Sequence, residues 1–206
     1  MDSGLSWIQA TRKSGTEVFH CGGVELGFTL LDFWQWADSD LISNACRGRL
    51  AEFIVARALG LGTADVRNEW DSVDLQTSGG TKVEVKSAAY VQSWFQKKLS
   101  TISFVVPPRR GYDYRTNELE PEPRRHADVY VFAILVCQDQ ASINPLDISQ
   151  WEFYVVPTTR LSERERSQHS ITFKSLKQLD CRPVAFAELR NAVESVAKNL
   201  ESRPSG

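Results

Sequence analysis

The sequence predicts an α/β (α+β) fold in which helices flank a mixed β-sheet, and three segments carry this prediction. Residues 81–87 alternate between apolar and polar side chains, as a strand with one buried face does. Residues 128–137 are almost continuously apolar, which indicates a central strand covered on both faces. Residues 47–59 repeat their apolar positions with the period of a helix. Strands interleaved with helices are typical of layered folds around a mixed sheet.

The remaining elements follow from the same periodicities and from glycine, proline and capping residues. A hairpin over residues 17–26 precedes a helix over residues 29–41, and Thr29 with Asp32 has the spacing of a capping box. Further strands are predicted over residues 65–70, 73–77, 101–106 and 151–156, and further helices over residues 88–99 and 186–200. We expect a single domain, 1–206, with an N-terminal extension over residues 1–43, a core over residues 44–137, and a C-terminal strand and helices over residues 138–200.

Length and composition are those of one globular domain. The chain has 206 residues, a formal net charge of -2 and 42% hydrophobic residues, so it can bury a core without disulfides or structural metal. Because the charge is nearly balanced, a nucleic-acid partner would have to be bound by local basic patches. No apolar run approaches the roughly 20 residues of a membrane-spanning helix, and no secretory signal pattern opens the chain. We therefore expect a cytoplasmic protein that has no membrane partner.

Glu52 is the first candidate site residue, because its carboxylate falls among apolar residues. The residues three, four and seven positions further along the predicted helix are all apolar and share its face. A carboxylate in such surroundings has to be paired, protonated or bound to a metal, since its desolvation costs several kcal/mol. Ion pairing with Arg49 or Arg57 is the simplest alternative to a functional role.

A pair of carboxylates is predicted on the hairpin around residues 78–80. If these residues form a three-residue turn with a left-handed glycine, Asp74 lies opposite Glu84, and Lys86 shares their face one pleat further on. A two-residue turn would instead place Leu75 opposite Glu84, which the polarity of that face disfavours. Taken alone, Glu84 and Lys86 are explained equally well by a solvated strand edge.

Two carboxylates that face each other across a sheet repel unless a cation lies between them. Mg²⁺ suits such a pair because it binds one or two carboxylates, retains water and takes further oxygens from a phosphate, and Mn²⁺ could substitute for it. Lys86 could promote ionisation of an attacking water or offset charge that develops on the phosphoryl group. The pattern therefore favours metal-dependent chemistry on a phosphate ester.

These residues resemble the PD-(D/E)xK nuclease superfamily, which includes type II restriction endonucleases and archaeal-type Holliday junction resolvases. In that family a helix with a glutamate precedes a sheet whose second strand carries an aspartate and whose third carries Glu-x-Lys. The resemblance covers residues 47–86 as motif and extends to residue 137 as an order of elements. Val73 replaces the proline that precedes the family's aspartate, and Asp71 is a second candidate for the position that we assign to Asp74.

The resemblance implies a restriction endonuclease-like fold and a Mg²⁺-dependent endonuclease that hydrolyses phosphodiester bonds in DNA. Asp74 and Glu84 would be metal ligands, Glu52 would complete or orient the metal site, and Lys86 would assist the attacking water. Two alternatives stay open, namely RNA as the substrate and a catalytically silent binding module of the same fold. A homodimer is a further option that the sequence leaves open.

Residues 107–125 are predicted to form a long exposed loop that is mobile until it contacts nucleic acid. The segment holds four of the eight prolines and five of the sixteen arginines, and it has few residues to bury. Arginine pairs at both ends, with tyrosines between them, suit phosphate contact and base stacking, and a merely solvated loop is the alternative. The family resemblance adds an accessory glutamine, whose alternative is a solvent-facing helix position. The candidate nucleic-acid-binding residues are Arg109, Arg110, Arg124, Arg125 and Gln92.

Overall fold

The computed structural model describes residues 4–62, 66–165 and 167–202. Its strands in chain order are β1 Val18–Cys21, β2 Val24–Thr29, β3 Leu75–Gln76, β4 Lys82–Ala89, β5 Ser103–Val105, β6 Tyr112–Asp113, β7 Glu118–Leu119, β8 Val129–Leu135, β9 Trp151–Pro157, β10 Ser170–Thr172 and β11 Pro183–Val184. Its α-helices are α1 Leu30–Asp38, α2 Asn44–Ala58, α3 Thr158–Ser162, α4 Phe173–Lys177 and α5 Leu189–Glu201. Within the described ranges, no helix is both long enough and apolar enough to cross a membrane.

A mixed sheet of five strands forms the centre of the fold, in the order β11-β9-β8-β4-β3. The pair β4 and β8 is parallel, and every other neighbouring pair of this sheet is antiparallel. All seven residues of β8 are buried, so the prediction of a central, doubly covered strand is confirmed. The prediction of a mixed sheet flanked by helices is confirmed with it.

Each face of the sheet packs on its own hydrophobic cluster. On one face, Val83 and Val85 of β4 pack against α2, and α5 packs on the same face against β9 and β8. On the other face, Tyr130 and Phe132 of β8 pack with side chains from β5, β10, α3 and α4. Because successive strand residues point to opposite faces, Glu84 lies on the second face, between the inward-facing valines of the first.

The N-terminal elements are as the sequence predicts, although they bury little. The hairpin β1–β2 leads into α1, where the Thr29 hydroxyl accepts the N–H of Asp32 and the Asp32 carboxylate accepts the N–H of Thr29. This reciprocal capping box satisfies two donors at the helix start. None of the residues of α1 is buried. Helix α1 therefore exists through local capping and partial packing and not through a core of its own.

Two predicted elements are wrong where the chain is described. Residues 88–99 form no helix: the first two extend β4, and beyond them the Gln96 amide accepts the N–H of Gln92 and donates to the carbonyl of Tyr90. These side-chain bonds satisfy backbone groups that a helix would otherwise use. Residues 66–70 contain no strand, and residue 65 lies outside the described residues.

The segment predicted as a long loop is a β-hairpin instead. Strands β6 and β7 pair antiparallel, and below them the backbones of Arg109 and Arg124 exchange two hydrogen bonds of 2.9 and 3.0 Å. Gly111 allows the close approach, because a Cβ there would lie 2.8 Å from side-chain atoms of both Glu120 and His126. Backbone pairing between sequence-distant ends, which composition does not reveal, gives this segment its order.

Candidate active site

The hairpin that joins β3 to β4 positions the two predicted carboxylates. Leu75 pairs with Val83, and the turn over residues 78–80 ends at Gly80, which has a φ of +87°. The three-residue turn and the register with Asp74 opposite Glu84 are therefore as predicted. Asp74 lies one residue before β3, and its carboxylate accepts the N–H of Val85 at 2.7 Å.

Asp74, Glu84 and Lys86 line one cavity of about 230 Å³, as the sequence predicts. The cavity is bounded on its other sides by the end of β5, the base of the β6–β7 hairpin and the segment before β3. Tyr130 joins the set, because β8 runs parallel to β4 and places Tyr130 beside Glu84. Tyr130 was missed in the sequence because its strand is apolar throughout, although its alternation with the valines on either side marks the face that it shares.

The electrostatics of this cavity are dominated by Asp74. Burial, together with the charges of Glu84 and Glu52, raises the pKa of its carboxyl to about 7, against the opposing effects of the hydrogen bond from Val85 and the charge of Lys86. Burial and the neighbouring Glu84 also raise the pKa of Tyr130 to about 12, so its hydroxyl keeps its proton at neutral pH. Negative charge is thus concentrated where little water compensates it.

Lys86 is the cation closest to the pair of carboxylates. Its Nζ atom lies 2.5 Å from Oε1 of Glu84, and both side chains are about one-fifth exposed or less. The two residues are neighbours on one face of β4, as strand geometry requires of positions two apart. Lys86 therefore neutralises Glu84, and its charge also lowers the pKa of Asp74, whose carboxylate forms no ion pair with any described residue.

Glu52 reaches this region from α2 but is paired by a residue that the sequence did not single out. Both of its carboxylate oxygens accept hydrogen bonds from the guanidinium of Arg67, one of them at 3.1 Å. The pairing with Arg49 or Arg57 is not formed; Arg49 pairs with Asp38 instead. Arg67 lines the cavity, so Glu52 lies behind it and acts on Asp74 through its charge.

The donor set fits a hard divalent cation held by few protein ligands. Among the described residues no group of three or more His, Cys, Asp or Glu is placed to hold a metal ion, so Glu52 does not form a three-carboxylate cluster with Asp74 and Glu84. Two carboxylates with room for water and a phosphate oxygen are what Mg²⁺ commonly uses. Asp74 and Glu84 would hold such an ion. Asp71 also faces the cavity, but it accepts a hydrogen bond from Asn68 at 3.0 Å.

Most of the predicted nucleic-acid-binding arginines are engaged within the protein. Arg110 donates to the carbonyl of Pro121, and Arg124 pairs with Glu120 at 2.8 Å. Arg125 donates to three groups from separate segments, namely the Val106 carbonyl, the Gln168 carbonyl and the Ser162 hydroxyl. Their guanidinium groups make contacts within the fold, and their assignment as nucleic-acid-binding residues stays a prediction.

Arg109 is the exception among the four arginines. It lines the cavity, its charge lowers the pKa of Tyr130, and its guanidinium has no hydrogen bond or ion pair with any described residue. An unpaired guanidinium beside an acidic cavity is suited to contact a phosphate.

Gln92 has a structural environment that differs from the predicted exposed helix position. It is buried, it accepts a hydrogen bond from Nη1 of Arg47 at 3.2 Å, and it donates to the carbonyl of Ala89 at 2.8 Å. Arg47 is itself buried and also donates to Ser87 of β4. Gln92 fixes Arg47 and is not among the residues that line the acidic cavity, and its assignment as an accessory nucleic-acid-binding residue stays a prediction.

Comparison with known proteins adds no relative to this description. No protein-family model matches the chain, and a search of curated proteins finds no significant match.

Proposed function

We propose that this protein is a Mg²⁺-dependent endonuclease that hydrolyses phosphodiester bonds of DNA and has a restriction endonuclease-like fold. The observation that carries the proposal is the convergence of Asp74, Glu84 and Lys86 on one cavity. Burying Asp74 beside a second carboxylate is costly, and the raised pKa of Asp74, caused first by burial and then by the charge of Glu84, reflects that cost. A divalent cation between the carboxylates would relieve it.

Five of the residues that line the cavity have a role under this proposal. When bound, Mg²⁺ supplies Lewis-acid activation of the phosphate and of the attacking water. Asp74 and Glu84 hold the ion, and the ammonium of Lys86 offsets negative charge that develops on the phosphoryl oxygens during in-line attack. Tyr130 retains its proton and can donate a hydrogen bond to a phosphate oxygen, while Arg109 binds a neighbouring phosphate.

A catalytically silent binding module is the second candidate function, and one observation favours it. Lys86 already neutralises Glu84, and Arg67 already neutralises Glu52, so part of the acidic charge is compensated without metal. A silent module would keep these ion pairs as structural contacts. Asp74 weighs against this alternative, because its pKa remains raised to about 7 although the charge of Lys86 lowers it, and its carboxylate forms no ion pair with any described residue.

Incubation of the purified protein with supercoiled, linear and branched DNA and with RNA tests the proposal. Cleavage of DNA is expected with Mg²⁺ or Mn²⁺ and not with EDTA, and Glu84→Gln should abolish it. Glu25→Gln is the matched control, because Glu25 is an exposed acid on β2 that lies outside the cavity. Cleavage of RNA in place of DNA would reassign the substrate, and no cleavage with either metal would favour the silent module.

A further inference from the structure

Two larger cavities open directly beside the acidic one. The first, of about 650 Å³, lies between residues 7–12 and residues 66–71, and it shares Arg67, Glu69 and Asp71 with the acidic cavity. The second, of about 530 Å³, lies against the β6–β7 hairpin. Both volumes are in the range of roughly 300–1,000 Å³ that ligand-binding pockets occupy. The first cavity therefore adjoins the candidate active site along these three residues, and we refer to the two together as the groove.

Aromatic side chains line the walls of the 650 Å³ cavity at the surface of the protein. The rings of Trp7 and Tyr114 lie 5.4 Å apart, and Trp70, whose ring lies 6.0 Å from that of Tyr112, lines the same cavity. Trp7 is 42% exposed and Trp70 is 63% exposed, and neither belongs to the two hydrophobic clusters that form the core. Exposed tryptophans grouped around a cavity are better explained by a ligand that covers them than by folding.

Arginines accompany these rings. The guanidinium of Arg115 lies 5.3 Å from the Trp7 ring centroid and 5.5 Å from that of Tyr114, and the exposed Arg12 lines the same cavity. Because Arg67 is paired with Glu52, two arginines are left to face two acids here, whereas the 530 Å³ cavity has one arginine and four acids. A polyanion is therefore more favourably accommodated between residues 7–12 and residues 66–71 than on the hairpin side.

We propose that this groove binds an unpaired strand of DNA, with bases stacked on Trp70, Trp7 and Tyr114 and phosphates near Arg12 and Arg115. Bases of an intact duplex stack on one another and offer no free face to such rings, whereas unpaired bases do. The inference rests on the proposed function for its consequence: the substrate of the nuclease is then DNA with an unpaired strand that leads into the acidic cavity.

Binding measured in EDTA separates this inference from catalysis. The affinity for a labelled oligothymidylate, followed by fluorescence anisotropy, should fall by at least about fivefold in Trp70→Ala and in Trp7→Ala, since one base–aromatic stack contributes that much or more. Trp7→Phe should retain most of the wild-type affinity, because phenylalanine still offers an aromatic face for stacking. Trp36→Ala is the matched control, because Trp36 is an exposed tryptophan on α1 outside both cavities.

A salt titration adds a second readout that lost packing would not change. Arg115→Gln should reduce the slope of log affinity against log salt by roughly 0.7, the contribution of one phosphate contact to a single strand. Thermal melting of each variant establishes that it is folded. Folded variants that bind the oligonucleotide as the wild type does, or a wild type that binds a blunt duplex at least as tightly, would overturn the inference.

The two proposals can fail independently. If the aromatic variants lose single-strand binding while the wild type cleaves nothing with Mg²⁺ or Mn²⁺, binding of an unpaired strand in the groove is supported and the nuclease assignment is wrong. If the wild type cleaves DNA while the aromatic variants bind normally, the nuclease stands and the groove assignment is wrong.

Discussion

Asp74 is the residue at which folding and function are in conflict. Its side chain is held near Glu84 because the β3–β4 turn has three residues, which places Asp74 opposite Glu84, and because its carboxylate accepts the N–H of Val85. Burial then disfavours the very charge that a metal ligand must carry. Residues that make a fold less stable than it could be are common at functional sites, because the compensation comes only with the ligand.

The raised pKa of Asp74 predicts how stability depends on pH in metal-free protein. Because the pKa is about 7 in the folded state and 3.8 is its usual value, folded protein holds this proton where unfolded protein releases it. The stabilisation is complete below about pH 4 and is lost as the pH rises through about 7. Asp74→Asn should therefore raise the melting temperature in EDTA at pH 8 and have little effect at pH 4.5.

Asp147→Asn is the control for this measurement. Asp147 is partly exposed and its pKa is lowered by hydrogen bonds from Ser149, so removal of its charge should not raise the melting temperature at pH 8. Equal melting temperatures of wild type and Asp74→Asn at both pH values would contradict the electrostatic account of the cavity.

Glu84 and Lys86 should differ in what they contribute. Glu84→Ala and Lys86→Ala should each reduce DNA cleavage by at least about 100-fold, as loss of a group that stabilises transition-state charge does. Only Glu84→Ala should weaken Mg²⁺ binding in calorimetric titration. Lys86→Ala should bind Mg²⁺ as tightly or more tightly, because it removes the ammonium that competes for Glu84. Wild-type cleavage rates in both variants would refute the nuclease proposal.

At the scale of elements, the loop after β4 depends on a buried cation. The Arg47 guanidinium is held by Ser87 of β4, the backbone of Ile42, Asn44 and Gln92, and burial lowers its pKa. Four neutral partners from two segments of the chain thus replace a carboxylate. This arrangement ties the start of α2 to the end of β4, the strand that carries Glu84.

Gln92→Ala should therefore destabilise the protein and leave DNA binding unchanged. Removal of the amide leaves a buried Arg47 N–H without its acceptor, which costs about 1–3 kcal/mol. Urea unfolding measures the loss, and a gel-shift assay measures DNA affinity. Gln178→Ala, at an exposed position after α4, should change neither. Weakened DNA affinity without a loss of stability would restore Gln92 to the binding site.

The β6–β7 hairpin should be ordered in the free protein at its base. Backbone hydrogen bonds join Arg109 to Arg124 and Glu120 to Gly111, so the donor amides of Arg109, Arg124 and Glu120 should be protected from hydrogen exchange. Amides at the tip, around Asn117, should exchange fast. Uniformly fast exchange from 107 to 125 would instead support the mobile loop that the sequence predicts.

Gly111→Ala should disturb this hairpin selectively. The added Cβ would lie 2.8 Å from both Glu120 and His126, and crowding of this kind costs about 1–3 kcal/mol. Protection at the Glu120 amide should fall. Gly79→Ala is the control, because a Cβ there meets only Thr77 Oγ1 at 3.8 Å. Unchanged protection in Gly111→Ala would show that the surrounding side chains give way.

At the scale of the whole molecule, stability and ligand binding are carried by different parts of the chain. The buried residues of the two hydrophobic clusters on the faces of the sheet all come from α2 and from the elements that follow it in the chain. Helix α1 contributes no buried residue. The N-terminal part nevertheless supplies Trp7 and Arg12 to the groove. Binding can therefore be altered at this end without disturbing the core.

Removal of residues 1–38 should lower the free energy of unfolding by about 1 kcal/mol or less, since mostly exposed surface contacts are lost. The same truncation should weaken binding of oligothymidylate in EDTA. Removal of α5 is the contrasting variant: Leu189 and Val193 are fully buried, so cooperative unfolding should be lost. A large loss of stability in the first variant would mean that the N-terminal part belongs to the folded core.

The sequence by itself determined the features that depend on local periodicity and turn length. Helix α2, the buried strand β8 and the alternation of β4 follow from which positions are apolar, because burial has the period of the element. The opposition of Asp74 and Glu84 follows from the three residues of one turn. A charge buried in α2 was also readable from the sequence, since Glu52 falls among apolar neighbours.

Only the tertiary structure decided which groups meet across long stretches of chain. Glu52 pairs with Arg67, Gln92 fixes Arg47, and Arg125 is tied to the segment that ends at Gln168. A charged side chain has many oppositely charged or polar candidates in the sequence, and packing selects one of them by proximity. For the same reason residues 88–89 extend β4 instead of starting a helix: the pairing with β8, from a distant segment, outweighs the local helical pattern.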